Sequence, residues 1–384
     1  MRTPKDWGQP CPNPACVHYN RKQQGNVSAI ATYLTQSGKR RIFRCHTCET
    51  QFAETRETVF FDLRTPEDKV MMALKMLLVR VDLAGISFVL GVTEETVLAW
   101  LRRVAHQAEA VNRHLLRTLP VTQVQLDEMW NFIARKHAHE TDEAGESGPD
   151  GEDGRQWIWV SFAPEFRLMI AAVVGPRTLD MAQEVVAVTK ARVAGIPACF
   201  SDGFTCYLAA RIAAFHVVTT CARTGKRGRP RKPLCAPHPD LVYGQLVKQK
   251  KQGKLLTLST RVVLGAERLT HLGLTISTAL VERVNLTLRQ ALAPLARKTS
   301  SFCKDRERMR QRVVFFQAFS NVARPHMSLR QPLPLYERTR RGAICPRWQE
   351  RTPAMAAGLT DHVWTFRELL TAKFEPLDSQ SISG

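Results

Sequence analysis

Four cysteines near the start of the chain fall in two close pairs, Cys11-x4-Cys16 and Cys45-x2-Cys48, separated by 28 residues. No other feature restricts the local fold so tightly. A short-spaced pair on a tight turn aims both sulfurs at one point, and two such pairs make a tetrahedral thiolate site of the zinc-ribbon kind. The segments Ile30-Ala31-Thr32-Tyr33 and Arg41-Ile42-Phe43-Arg44 between them fit the strands of a hairpin. A unit this small cannot bury a sufficient core, so bound Zn2+ is expected to supply much of its folding energy. The plain alternative is four free thiols in a reducing compartment, and His18 or His46 stands close enough in sequence to replace one sulfur. Cys199, Cys206, Cys221 and Cys235 lack paired spacing and read as small buried hydrophobes, with Cys235-x2-His238 standing alone.

The 384 residues carry 55 Lys and Arg against 35 Asp and Glu, a formal charge of +20. Such a balance calls for a polyanionic partner and leaves the fold open. An apolar content of 44% is enough to build a full core. No run approaches the ~20 apolar residues of a membrane span. The first residues, Met1-Arg2-Thr3-Pro4-Lys5-Asp6-Trp7, lack the apolar centre of a secretory signal, so a soluble, cytoplasmic chain is expected. The charge is uneven. Residues 140–154 hold seven carboxylates and no Lys or Arg, broken by glycines and a proline as in a flexible loop. Residues 221–254 hold ten Lys and Arg against one acid, Asp240, and residues 283–312 are basic with a helical pattern.

Residues 66–81 place Val70, Leu74, Leu77 and Leu78 on one helical face, with Pro66 tolerated near the first turn. Gly91 breaks the chain and Thr93 caps a second helix over residues 94–103, with Val97, Leu98 and Leu101 turned inward. Arg102 and Arg103 are then free for phosphates. This is the pattern of a helix-turn-helix whose second helix enters the major groove; an ordinary helical hairpin is the plainer reading.

Residues 121–130 alternate as a strand, with Val124, Leu126, Glu128 and Trp130 on one face and Gln125, Asp127 and Met129 on the other. Residues 157–162 and 168–174 read as two more strands, 179–193 as a helix, and 198–203 as a short apolar strand ending on Asp202. Three strands, a helix and a strand ending in an acid give the order of a ribonuclease-H-like α/β domain with a mixed sheet, in which the first-strand and fourth-strand acids lie side by side. Adjacent carboxylates repel unless a cation sits between them, and hard oxygen ligands suit Mg2+ or Mn2+. A third carboxylate from a later helix would complete a two-metal site for in-line displacement at a phosphodiester. Glu282 and Glu267 are the candidates. Any one of these acids alone reads as a solvated turn residue; the three in this order do not.

These residues resemble a transposase of the insertion-sequence-one family, a bacterial and archaeal DDE group. Asp127-Glu128-Met129-Trp130 is similar to its Asp-Glu-x-Trp block, Gly175-Pro176-Arg177-Thr178 to its Gly-x-Arg-Thr turn, and Asp202-Gly203-Phe204-Thr205-Cys206-Tyr207 to its Asp-Gly-aromatic-x-x-Tyr block. The stretch opening Glu282-Arg283-Val284-Asn285 and running on to Ala296-Arg297-Lys298-Thr299 resembles the block around its last acid. The likeness covers residues 11 to about 325, ribbon and helix-turn-helix included. It implies a triad of Asp127, Asp202 and Glu282 ligating catalytic Mg2+, with Glu282 preferred over Glu267 because only it sits in the matching block. It implies nicking at the ends of a mobile element, then attack of the freed 3′-hydroxyl on target DNA. Arg283, Asn285, Arg289, Arg297 and Lys298 would line the DNA path. The partners implied are double-stranded DNA, as terminal inverted repeats and as target, and a further copy of the chain, at least a dimer. The acidic segment and the separation of 80 positions between Asp202 and Glu282 depart from compact members.

The chain is thus expected to divide into a zinc ribbon (1–62), a helix-turn-helix (63–115), a catalytic domain (116–330) with an acidic insertion (140–155) and a basic insertion (219–262), and an Arg/Pro-rich tail (331–384). The basic insertion contains Arg227, Arg229, Arg231 and Lys232 around an Arg-Gly-Arg-Pro core similar to an AT-hook. A flexible basic loop is the alternative there. Two other functions share these residues: a DNA-binding regulator without catalysis, and a Mg2+-dependent nuclease without strand transfer.

Overall fold

The computed structural model describes residues 7–133, 154–219, 233–251, 254–333 and 348–375. Nearly all of the acidic insertion, the hook residues Arg227, Arg229, Arg231 and Lys232, and much of the tail lie outside the described residues.

The N-terminal unit is a three-stranded antiparallel sheet of β1 (Val27–Thr35), β2 (Gly38–Cys45) and β3 (Gln51–Ala53). Its small core is Phe43 and Phe52 together with the four cysteines. Three helices follow: α1 (Glu67–Leu77), α2 (Leu83–Leu90) and α3 (Glu94–Leu115). Gly91 ends α2 in the left-handed region at φ 58°, where a side chain is disfavoured. The Thr93 hydroxyl accepts the Thr96 N–H, and α2 and α3 meet at 110°. The turn is the expected one, but the second helix does not stop at residue 103. Nothing between residues 103 and 115 breaks a helix, and Val104, Ala108 and Val111 continue the buried face.

The larger sheet has six strands in the order β11-β10-β7-β4-β5-β6. These are β4 (Gln123–Ile133), β5 (Gly154–Ala163), β6 (Leu168–Gly175), β7 (Ala198–Ser201), β10 (Tyr243–Lys251) and β11 (Lys254–Leu264). β4, β5 and β6 form an antiparallel meander, β7 joins β4 in parallel, and β10 joins β7 in parallel. This mixed order fits the ribonuclease-H-like arrangement. Between β7 and β10 come α5 (Cys206–Ala214) and a separate pair, β8 (His216–Thr219) and β9 (Leu234–Pro237). Residues 243–262, expected as part of the basic insertion (219–262), instead fall in two strands of the main sheet, β10 and β11. Their Lys and Gln content hides a strand pattern that is buried only at its start, Tyr243 to Leu246.

One face of the sheet is covered by α4 (Leu179–Lys190) and α5, around Leu126, Trp159, Ile170 and Tyr207. α4 ends at Lys190, three residues short of the pattern read from sequence. The other face carries α3, α7 (Ala279–Ala291) and α8 (Arg306–Val322), around Met129, Val160, Met169 and Phe316. The core on this second face also takes in Leu74 of α1 and Ile86 of α2, so the helical unit and the sheet share one apolar cluster. β6 is an edge strand, and an edge leaves unpaired backbone groups. α8 covers them: Asn321 accepts the Met169 N–H at 3.0 Å, and the Asn321 and Gln317 amides donate to the Met169 and Ile170 carbonyls at 2.9–3.1 Å. The chain closes with α6 (Ala266–His271) ahead of α7, then β12 (Gln331–Pro332), β13 (Trp348–Gln349), α9 (Pro353–Ala356) and α10 (Phe366–Thr371).

Gly265 sits between β11 and α6 at φ 71°, and a Cβ there would stand 2.7 Å from the Leu241 carbonyl oxygen. Gly265→Ala therefore combines left-handed strain with a backbone clash. It is expected to lower unfolding free energy by ~2 kcal/mol or more, read by urea denaturation. Wild-type stability in that variant would mean that the strand-to-helix turn relaxes freely.

Candidate active site

The parallel register of β4 and β7 pairs Gln125 with Phe200. Two residues further on come Asp127, within β4, and Asp202, just past the end of β7, so the two acids stand side by side. The Phe204 N–H fixes the Asp202 loop by donating to Asp202 Oδ1 at 3.0 Å. Carboxylate oxygens of Asp127, Glu128 and Asp202 lie within 4.8 Å of one another.

α7 is docked on the same spot from above. Gln125 Oε1 accepts the Val281 N–H at 3.0 Å, using a donor that the first turn of a helix leaves free. Asn285 Nδ2 donates to Asp127 Oδ2 at 2.8 Å. Glu282 lies between these two anchors. Its carboxylate accepts the Thr278 hydroxyl at 2.6 Å and pairs with Lys248 of β10. It stands outside the 4.8 Å group, yet its charge is among those that act on Asp127. Burial first, then the carboxylates of Glu128, Asp202 and Glu282, push Asp127 up to about 7. Glu267 is exposed on α6 and takes no part in this cluster.

A site that raises a carboxylate in this way favours whatever neutralises it, a proton or a cation. Opposite ligands of an octahedral Mg2+ are about 4.2 Å apart at its ~2.1 Å bonds. The oxygen spacing and the hard donor set therefore fit a divalent cation held by Asp127 and Asp202.

Glu128 is placed differently. Its neighbours along the strand point the other way, and its side chain is 2% exposed on the α4–α5 face. Oε1 accepts Arg177 Nε at 2.9 Å and Nη2 at 2.5 Å, while Oε2 accepts the Tyr207 hydroxyl at 2.9 Å. Arg177 in turn lies over the rings of Phe204 and Trp157, 4.2 and 4.8 Å from their centres. A fully buried Tyr207 hydroxyl deprived of Glu128 would cost about 1–3 kcal/mol. Glu128, Arg177 and Tyr207 sit in the quoted motifs, but a sequence motif does not say which member points where. Gln125 and Lys248 carried no signal beyond strand alternation and charge.

Seven of the residues expected to contact DNA separate into two groups. Arg102, Arg283, Arg297 and Lys298 are exposed. The other three are engaged within the protein. Arg103 donates to the Phe61 carbonyl, Arg289 to the Trp130 and Leu295 carbonyls, and the buried Asn285 to Asp127.

At the N-terminus the Sγ atoms of Cys11, Cys16, Cys45 and Cys48 also lie within 4.8 Å of one another. Cys11 and Cys48 are 3.5 Å apart, Cys16 and Cys45 3.9 Å. A tetrahedral zinc with ~2.3 Å bonds requires sulfur–sulfur edges of about 3.8 Å, so the four thiolates fit the ion without a histidine. The Thr50 hydroxyl, chiefly, lowers Cys48 to about 6. Burial raises Cys45, but the Cys48 and Thr47 amides outweigh it and the net shift is downward. The Asn26 amide also donates to the Cys45 sulfur at 3.1 Å. Among the described residues the only groups of three or more possible ligands are this one and the acidic one; Cys235 and His238 belong to neither.

No protein-family model and no curated protein matches the chain. Among solved structures it is similar to the Mos1 strand transfer complex, at 14% identity, 36% of this chain, 52% of that chain and a TM-score of 0.15. It is similar also to the Mos1 transposase paired-end complex with the left transposon end, at 13% identity, 36% and 55% coverage, and a TM-score of 0.15. A Mos1 mariner paired-end complex with Mn gives 12% identity, 34% and 51% coverage, and again 0.15. The chain spans about half the length of these structures. No single helix among the described residues is long and apolar enough to cross a membrane.

Proposed function

We propose that the chain is a divalent-metal-dependent enzyme acting on phosphodiester bonds of DNA. More particularly, we propose a DDE transposase of the insertion-sequence-one kind, which cleaves at element ends and joins them to target DNA. One observation carries the reading: Asp127 on β4 meets Asp202 just past the parallel strand β7, beneath a helix that hydrogen-bonds Asp127 and presents Glu282 beside it. Asp127 and Asp202, with Glu282 as the third acid, would hold Mg2+ or Mn2+. When bound, the metal supplies activation of the attacking oxygen and charge relief at the leaving oxygen. Asn285 orients Asp127 and Gln125 seats the helix. Exposed Arg102, Arg283, Arg297 and Lys298 hold the phosphate backbone, with Zn2+ stabilising the N-terminal ribbon. Two ends must be joined, so the active species is at least a dimer, working at the nucleoid.

The test is incubation with labelled element ends, Mg2+ and target duplex. Joined products are expected; nicks alone would leave a nuclease, and binding without cleavage a regulator. The exposure difference gives a second test. Arg297→Ala with Lys298→Ala should flatten the slope of log K against log salt by about 2, since each phosphate contact contributes ~0.9. Arg103→Ala should leave that slope unchanged. Equal effects from both variants would overturn the assignment of the DNA-facing set.

A further inference from the structure

We propose that Glu128 is a positioning residue rather than a metal ligand, and that with Arg177 and Tyr207 it forms a tie setting the position of Asp202 relative to Asp127. The inference rests on the reading of those two aspartates as the catalytic acids.

Three separate sequence blocks meet in this tie. Glu128 follows Asp127 on β4, Arg177 follows the edge strand β6, and Tyr207 opens α5 just beyond the Asp202 loop. Proximity alone puts Glu128 among the possible ligands, since its oxygens lie within 4.8 Å of those of Asp127 and Asp202. Hydrogen bonding decides against it. Both oxygens are already engaged, one by two guanidinium N–H groups and the other by a phenol. Turning Oε2 to a cation would strand the Tyr207 hydroxyl, which is fully buried, and turning Oε1 would break both bonds from Arg177. With Oε1 held by two guanidinium N–H groups and Oε2 by the phenol, the carboxylate is fixed in orientation as a structural anchor.

The tie reaches Asp202 by contact. The Arg177 guanidinium rests on the Phe204 ring, and the Phe204 N–H holds Asp202 Oδ1. Tyr207 packs edge-on against Phe204, with ring centres 5.7 Å apart, and Trp159 closes the cluster. The Asp202 loop is therefore gripped by Arg177 through Phe204 on one side and by Tyr207 on the other, and Glu128 joins both grips to the strand that bears Asp127. Displacing a metal-binding carboxylate by even ~1 Å disturbs the reaction far more than it disturbs binding of DNA.

The experiment compares Glu128→Gln, Tyr207→Phe and Asp127→Asn, each measured below its own unfolding temperature. Mn2+ binding is followed by calorimetry and electron paramagnetic resonance, cleavage by kcat and by KM for DNA. Glu128→Gln and Tyr207→Phe are expected to keep Mn2+ affinity within about 3-fold, to leave KM unchanged, and to lower kcat by ~10–100-fold with an altered Mn2+ spectrum. The double variant should lose no more than the worse single one, because both break one unit. The proposal is overturned if Glu128→Gln loses Mn2+ as completely as Asp127→Asn while Tyr207→Phe does not. It is equally overturned if both Glu128→Gln and Tyr207→Phe cleave at the wild-type rate. If instead Asp127→Asn binds Mn2+ and cleaves normally, the functional reading of the acids fails, a result distinct from either of these.

Discussion

Asp127→Asn is expected to lower metal-dependent cleavage by at least ~10^3-fold and, at the same time, to raise the Tm of the protein measured without added Mg2+ at pH 8. The two effects have one cause. Burial and three neighbouring carboxylates lift Asp127 from an ordinary 3.8 to about 7 in the folded chain. The folded state therefore binds a proton more tightly than the unfolded state between those values. Below about pH 4 both states are protonated and the site costs nothing. As pH rises towards 7 the folded protein loses stability, and above 7 the loss is complete. A shift of this size corresponds to a few kcal/mol, on the order of 1.4 per pH unit, before the site relaxes. Asn removes the charge and still accepts the Asn285 amide, so it recovers most of that loss at pH 8 and almost none at pH 4.5. Mg2+ should stabilise the wild type at pH 8 and leave the variant unmoved. Thermal scans at the two pH values check this, and a variant no more stable than wild type at pH 8 would show that the acids do not strain the fold.

The second large effect is expected from Cys45→Ser. Cys45 is fully buried and its sulfur is part of a set whose spacing matches a tetrahedral ion. Structural zinc contributes about 10–16 kcal/mol to small domains of this size, far more than the short core of Phe43 and Phe52 can replace. The variant should retain no zinc by elemental analysis, become protease-sensitive before residue 60, and lose specific binding to element ends. Nicking of non-specific DNA should persist, because the acids stand on a separate sheet. The ribbon is tied to the rest at several points: Glu67 pairs with Arg40 and Arg367, the Val59 N–H donates to the Leu370 carbonyl at 3.2 Å, and Lys373 donates to Gln9 at 3.0 Å. Freshly purified wild-type protein without zinc would sink this prediction at once.

The succession β4, β5, β6, α4, β7 and the positions of Asp127 and Asp202 were legible because alternation and an acid closing an apolar strand are local signals that register then brings together. The cysteine site was legible for the same reason, since spacing within a turn fixes where two sulfurs point. The far half of α3 was not. Its inward residues look like any amphipathic continuation, and what they face, α8, lies some 200 positions later. Nor does composition reveal that Arg103, Asn285 and Arg289 serve the protein's own backbone and acids, because a cation satisfied by a carbonyl and one awaiting a phosphate are spelled alike. Residues 243–262 were read as part of a basic insertion for a related reason: past Val247 the side chains described in this hairpin are mostly exposed, so no buried face marks it as strand.

α3 runs for 22 residues without a break, roughly 33 Å. One end abuts the turn at Gly91 and the other lies against α8, inside the cluster that also holds Met129 and Val160. It behaves as a shaft with no universal joint. Any recognition surface that arises on its first turns inherits a fixed bearing and distance to Asp127 and Asp202. Under the proposed function, a lineage of such chains would change which sequence it reads by altering a few outward residues of those turns, while the inward ones would keep the acids in register with them. The same stiffness forbids exchanging the N-terminal half as a cassette. A graft that ended before Val104 would have to rebuild the apolar seam, and a graft that ended after Val111 would carry the seam with it.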